Sequence, residues 1–164
     1  MSEEHTPLQI QGLLIPQRQL PLLLPSAAVI EILGYRELRQ PEAGHPAWLL
    51  GHFEWRHLWL PLISMERLLG VEREQPAGRR RGRKRIIVIH VFDERLEHPF
   101  VGVDATGMPR MVNVNEEVLQ VAPRGPWPDD WPVLYKVQVQ ETEALIPDLD
   151  RLGRLVAETE TVTA

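Results

Sequence analysis

The chain has no cysteine. Disulfides and thiolate metal sites are therefore excluded, and a reducing compartment is unremarkable. Long apolar runs are missing too. The apolar run around Leu20–Leu24 is broken by Pro21 and Pro25. It falls far short of the ~20 residues that span a bilayer as a helix. The start, Met1-Ser2-Glu3-Glu4-His5, is polar and acidic, without the basic and apolar regions of a secretory signal. The expectation is a cytoplasmic protein. No G-x-S-x-G elbow occurs. Gly78-Arg79-Arg80-Arg81-Gly82 lacks the G-K-[ST] ending of a phosphate loop, and no repeat at a solenoid period is visible.

What is present suits a globular fold. A chain of 164 residues makes one domain, or two small intertwined lobes. At this size roughly 68–70% of the unfolded surface can be buried, and a 43% hydrophobic content supports a genuine core. The net charge of −5 is unevenly spread. Gly78–Arg85 holds six of the eighteen basic residues, and the chain without those six stands at −11.

Short strands dominate the pattern. Leu8–Pro16 alternates and reads as a strand, Gln17-Arg18-Gln19 as a hairpin turn, and Leu20–Leu24 as a second strand. Val29–Leu33 fits a strand or a short helical turn, and periodicity does not decide between them. Residues 34–46, with Gly34, Pro41, Gly44 and Pro46, read as a loop. Leu62–Gly70 is the best helix candidate, capped by Ser64 and stopped at Gly70. Residues 71–85 form a charged linker or hairpin tip. Ile86–Phe92 is a β-branched run and reads as a strand buried on both faces. Further strands are expected at Pro99–Asp104, Met111–Val114, Val133–Gln140 and Ala144–Pro147, with a proline-rich loop over 123–132. Asp148–Leu155 reads as a terminal helix. Residues 1–7 and 156–164 read as flexible tails around a single domain over 8–155. Such spacing implies an all-β barrel or sandwich with two short helices.

The most informative stretch is Gly51-His52-Phe53-Glu54-Trp55-Arg56-His57-Leu58-Trp59-Leu60-Pro61. It reads as a strand, a tight turn carrying a charge, and a second strand, with Pro61 suited to a strand edge or bulge. Arg56 at such a hairpin suits partner recognition. Two or three of the tryptophans (48, 55, 59, 127, 131) close to it would make an interface hot spot, since Trp and Arg dominate such sites.

Other candidates are weaker. His52-x-Glu54-x-x-His57 has metal-ligand residue types, but His57 falls beyond the face that His52 and Glu54 share, so a polar hairpin face is favoured and no metal or cofactor is expected. Asp93, Glu94 and Asp104 read as turn chemistry rather than an acid–base pair. The run Arg79, Arg80, Arg81, Arg83, Lys84, Arg85 could hold a polyanion such as nucleic acid or an acidic surface. It has no interleaved aromatic residue for stacking bases, and a solvated hairpin tip is the favoured reading.

The order and spacing of several segments resemble the CheW-like chemotaxis coupling proteins over about residues 8–155. Gly51, Arg56 and Pro61 stand at that family's spacing. Val29-Ile30-Glu31-Ile32-Leu33 is similar to its V-x-E-[VI]-[LIV] segment and Pro46–Gly51 to its P-x-[WF]-[LIV]-x-G. Val101–Asp104 resembles its V-G-[LI]-V-V-D strand, shortened by one residue. Leu145–Leu152 resembles its closing strand and helix. The chain departs from the pattern in Glu54, in His57 where glycine follows the arginine, in Ser64 where aspartate is common, and in the basic run. The resemblance implies a divergent member, such as one serving pilus-driven motility. It implies two intertwined five-stranded SH3-like barrels and a non-enzymatic adaptor. The implied partners are a chemoreceptor's cytoplasmic hairpin and the regulatory domain of a CheA-type histidine kinase. Carried over, Val29 and Arg56 face the receptor with Gly51 and Gly102 shaping the groove, while Glu31, Ile32 and Leu33 lie near the kinase contact.

Overall fold

Ile86, Ile87, Val88 and Ile89 are all fully buried, yet they serve two different cores. Ile86 and Val88 pack with Phe53, Trp55, Leu60 and Leu62. Ile87 and Ile89 pack with Ile15, Leu24, Val103 and Leu152. Successive side chains leave a strand on opposite faces, so a strand covered on both sides must be apolar throughout. The doubly buried strand expected over Ile86–Phe92 is met over Ile86–Ile89, but the strand is Arg85–His90 and Phe92, beyond it, is exposed.

The computed structural model describes residues 9–70, 83–115, 118–121 and 131–162. In chain order the elements are β1 (Ile10–Ile15), β2 (Leu22–Pro25), β3 (Val29–Gly34), β4 (Leu49–Trp55), β5 (Leu58–Ile63) and α1 (Met65–Leu68). They continue with β6 (Arg85–His90), β7 (Phe100–Ala105), β8 (Arg110–Val114), β9 (Leu119–Val121), β10 (Val133–Val139), β11 (Thr142–Pro147) and α2 (Leu149–Val162). They form a six-stranded sheet, ordered β8-β1-β2-β11-β10-β9, and a five-stranded sheet, ordered β3-β6-β7-β5-β4. The chain starts in the first sheet, builds the whole second sheet, then returns to complete the first. The return begins with β8, antiparallel to β1, and is completed by β11, which pairs parallel to β2 through Leu145 and Leu22. This is the intertwining expected of the two barrels.

Each sheet encloses its own core. Leu14, Leu23, Val112, Val114, Val137 and Val139 fill the first, and Leu33, Phe53, Trp55, Leu60 and Leu62 the second. A third core, which includes Leu22, Ile63, Met65, Val101, Val133, Leu152 and Val156, joins the two. Each fully buried aliphatic side chain there contributes about 1.5–3 kcal/mol of transfer free energy.

Several sequence expectations are revised. The Val29–Leu33 segment is a strand, because it pairs with β6 from Val29↔Ile89 to Gly34↔Arg85. The helix expected over Leu62–Gly70 is only Met65–Leu68. Leu62 and Ile63 instead end β5, fully buried and paired parallel with Gly102 and Val103. The Ser64 cap is as expected, its Oγ accepting the Arg67 N–H at 3.3 Å. Pro61 lies in an interior strand rather than at an edge, but the β5–β7 ladder begins one residue later, at Leu62. β9 carries too little apolar alternation to be read in advance and is the sixth strand of its sheet. Of the tail expected over 156–164, residues 156–162 are helical: α2 continues to Val162, with Val156 and Ala157 buried, and 163–164 lie outside the described residues. The 34–46 loop makes one bridge, Arg39 with His52.

Candidate functional site

The β4–β5 register pairs Trp55 with Leu58, which leaves Arg56 and His57 as a two-residue turn. Both have positive φ, 49° and 66°. Two successive left-handed residues match the right-handed twist of the flanking strands, and the usual occupants are Asn-Gly or Gly-Gly. Histidine is among the side chains that tolerate this region. The turn therefore holds Arg56 outward, with its side chain 65% exposed.

Three groups meet at this tip. The Arg56 guanidinium lies over the Trp55 ring, 4.4 Å from its centroid. The Trp55 Nε1–H donates to Glu31 Oε2 at 2.6 Å. Arg56 Nη2 stands 3.5 Å from the same oxygen. Glu31 belongs to β3 and Trp55 to β4, the two opposite edges of the five-stranded sheet. The hydrogen bond thus closes the sheet into a barrel at its mouth. Behind it, Trp55 packs against Phe100 at 5.4 Å between ring centroids, Phe100 against His90 at 5.5 Å, and His90 against Phe92 at 4.7 Å.

The expected site residues sort unevenly. Arg56 and Glu31, read for two different partners, are in contact. Val29 and Ile32 are half-buried against the shared core. Leu33 is 6% exposed and lines the second barrel, so it supports the surface from within. Gly51 and Gly102 are buried. Gly51 has φ 150°, and a Cβ there would lie 2.7 Å from Arg39 O. A Cβ on Gly102 would meet the Phe53 ring and lie 3.0 Å from Ile86 Cγ2. Both glycines shape the barrel by letting neighbours approach, without themselves reaching solvent.

Among the described tryptophans, Trp55 adjoins Arg56. Trp59 lies instead under Arg39, 3.9 Å from its guanidinium carbon. Trp48 and Trp131 pack on the shared core, and Trp127 falls outside the described residues. Arg79, Arg80 and Arg81 also fall outside them. Arg83 and Lys84 precede β6, and Arg85 opens it. Trp55 is the member of the expected tryptophan set that reaches this tip, and Phe100 behind it was not among the expected site residues. The signal for Trp55 was its inward phase in the β4 alternation, next to a turn arginine.

The remaining candidates do not converge. His52 donates through Nε2 to Glu160 Oε1 at 2.8 Å, away from Glu54 and His57, and among the described residues no group of three or more His, Asp or Glu could hold a metal ion. Asp93 is engaged in its turn. Its Oδ1 accepts the Arg95 Nε–H, and its Oδ2 the Nη2–H, both at 2.9 Å. The Arg95 guanidinium, then the Arg95 backbone N–H, lower its pKa to about 2, so it stays ionised at neutral pH. Among the described residues no helix is long and apolar enough to cross a membrane.

Comparison with known proteins agrees with this architecture. The family described as the CheW-like domain matches residues 11–155. Among solved structures, the scaffolding protein TtCheW from Thermoanaerobacter tengcongensis superposes with a TM-score of 0.70 at 14% identity, over 93% of this chain and 92% of that one. Among curated proteins, no sequence matches.

Proposed function

The chain belongs to the CheW-like domain family, and from that premise we propose that it is a non-catalytic adaptor of a chemosensory array. It couples the cytoplasmic hairpin of a chemoreceptor to the regulatory domain of a CheA-type histidine kinase, and works in the cytoplasm. The observation that carries this reading is the Arg56 tip. A cation held outward by a left-handed turn, backed by an indole and braced by a carboxylate from the opposite edge strand, is preorganised for a partner. Val29 and Arg56 then face the receptor, Gly51 and Gly102 shape the surface from beneath, and Glu31 with Ile32 adjoins the kinase side over Leu33. The departures at Glu54, His57 and Ser64 support a specialised system, such as one controlling pilus-driven motility.

The test is a titration of the purified chain with a receptor cytoplasmic hairpin and, separately, with a kinase regulatory domain. Binding to both is expected. Arg56→Ala should weaken receptor binding by roughly tenfold or more, as for an interface arginine, with an unchanged melting temperature. Unchanged receptor affinity in Arg56→Ala would remove the proposed role of this tip, and binding to neither partner would remove the adaptor reading.

A further inference from the structure

The basic run has no aromatic residue within it, but the fold brings one to it. Gly34 at the end of β3 faces Arg85 at the start of β6. This register carries Tyr35, the residue after β3, to Lys84, the residue before β6. The Lys84 ammonium stands 5.4 Å from the centroid of the Tyr35 ring, and Tyr35 is 41% exposed.

The two side chains share a pocket of about 230 Å³ with Arg18 and Arg67. Both arginines are exposed, as is Arg83, the residue before Lys84. Two carboxylates also line the pocket, Glu66 and Asp104. Glu66 is buried and its Oε1 accepts the Arg18 N–H at 2.5 Å. Asp104 Oδ1 is buried as well. The Glu66 carboxylate and Asp104 Oδ1 thus lie on the protein side, while Arg18, Arg67, Arg83 and the Tyr35 ring are exposed and Lys84 is half-buried.

We propose that Tyr35, with Arg18, Arg67, Arg83 and Lys84, forms a binding site for single-stranded nucleic acid. One base stacks on Tyr35, and the flanking phosphates meet the four cations. Both elements of such sites are present, a π-face and a positively charged groove. An acidic peptide needs the charges but not the ring, and a flat lipid surface cannot enter a recess.

The experiment is a fluorescence-anisotropy titration of a labelled oligothymidylate with the full-length chain at several salt concentrations. Saturable binding is expected, with log affinity falling linearly in log salt by about 0.7 for each phosphate neutralised. Tyr35→Ala should weaken it roughly tenfold while Tyr35→Phe retains it, since the ring and not the hydroxyl stacks. Lys84→Glu, which retains the Tyr35 ring, should weaken it at least as much. Absence of binding overturns the proposal. So does unchanged affinity in a folded Tyr35→Ala variant, and so does equal displacement by polyglutamate or phosphatidylserine vesicles. Each would mean a charge-only surface. None of these outcomes bears on receptor or kinase binding, which is measured separately.

Discussion

The Trp55 indole N–H donates to Glu31 Oε2 at 2.6 Å, and so fastens together the two edge strands of one sheet. The strands are separated in the sheet by three others, and no backbone ladder joins them here. A side-chain hydrogen bond to a carboxylate does the joining, beneath a guanidinium that belongs to the proposed receptor surface.

Removing this donor has a defined cost. Trp55→Phe keeps most of the ring packing against Phe100 but loses the hydrogen bond. A hydrogen bond to a charged group is worth about 1.5–3 kcal/mol when buried, and the partial exposure of Glu31 lowers that to about 1 kcal/mol. Urea denaturation should show the midpoint shifted down by the corresponding amount with the slope unchanged. A midpoint equal to that of the unaltered chain would mean the barrel mouth is closed by packing alone.

The Arg56-His57 turn places two L-residues where glycine is usual. His57→Gly should relieve left-handed strain of about 1 kcal/mol, partly offset by the greater backbone entropy of glycine in the unfolded chain. A net gain of about 0.5 kcal/mol is expected, read as a higher unfolding midpoint. Destabilisation instead would show that the His57 side chain makes a contact that outweighs the strain.

Gly102 admits the Phe53 ring into the second barrel. Gly102→Ala should overpack this core by about 1–3 kcal/mol, because Phe53 is fully buried and cannot swing out to solvent. Calorimetry on the variant checks this, and an unchanged melting temperature would contradict the close approach.

His52 and Glu160 hold the last turns of α2 against β4. His52→Ala should leave global stability nearly unchanged, since the pair is partly exposed, but it should increase amide exchange over the C-terminal turns of α2 several-fold. Exchange that does not change there would mean the burial of Val156 and Ala157 suffices to hold the helix end.

The legible parts of the fold were those written in local periodicity. The β4 alternation of Phe53 and Trp55 with His52 and Glu54, the buried run at Ile86–Ile89, and the Ser64 cap all follow from residue type and spacing. Less legible were the parts decided by distant partners. Leu62 and Ile63 fit a helix by composition, but parallel pairing with Gly102 and Val103 draws them into a strand. The polar end of α2 looked like a tail, because its anchors, His52 and the shared core, come from another sheet. β9 has only three residues and gains its identity from β10.

By itself the sequence determined an all-β fold without disulfides, a hairpin carrying Arg56 at its turn, and a family whose motifs run in the right order. Hydrophobic period, turn chemistry and charge are properties of neighbouring residues, and one chain displays them directly. Only the tertiary structure decided that Glu31 and Arg56 share one carboxylate contact, that Gly51 and Gly102 lie beneath the surface rather than on it, and that Tyr35 stands beside Lys84. Those relationships depend on which strands become neighbours, and strand order is set by burying three cores at once, a condition no local stretch of sequence expresses.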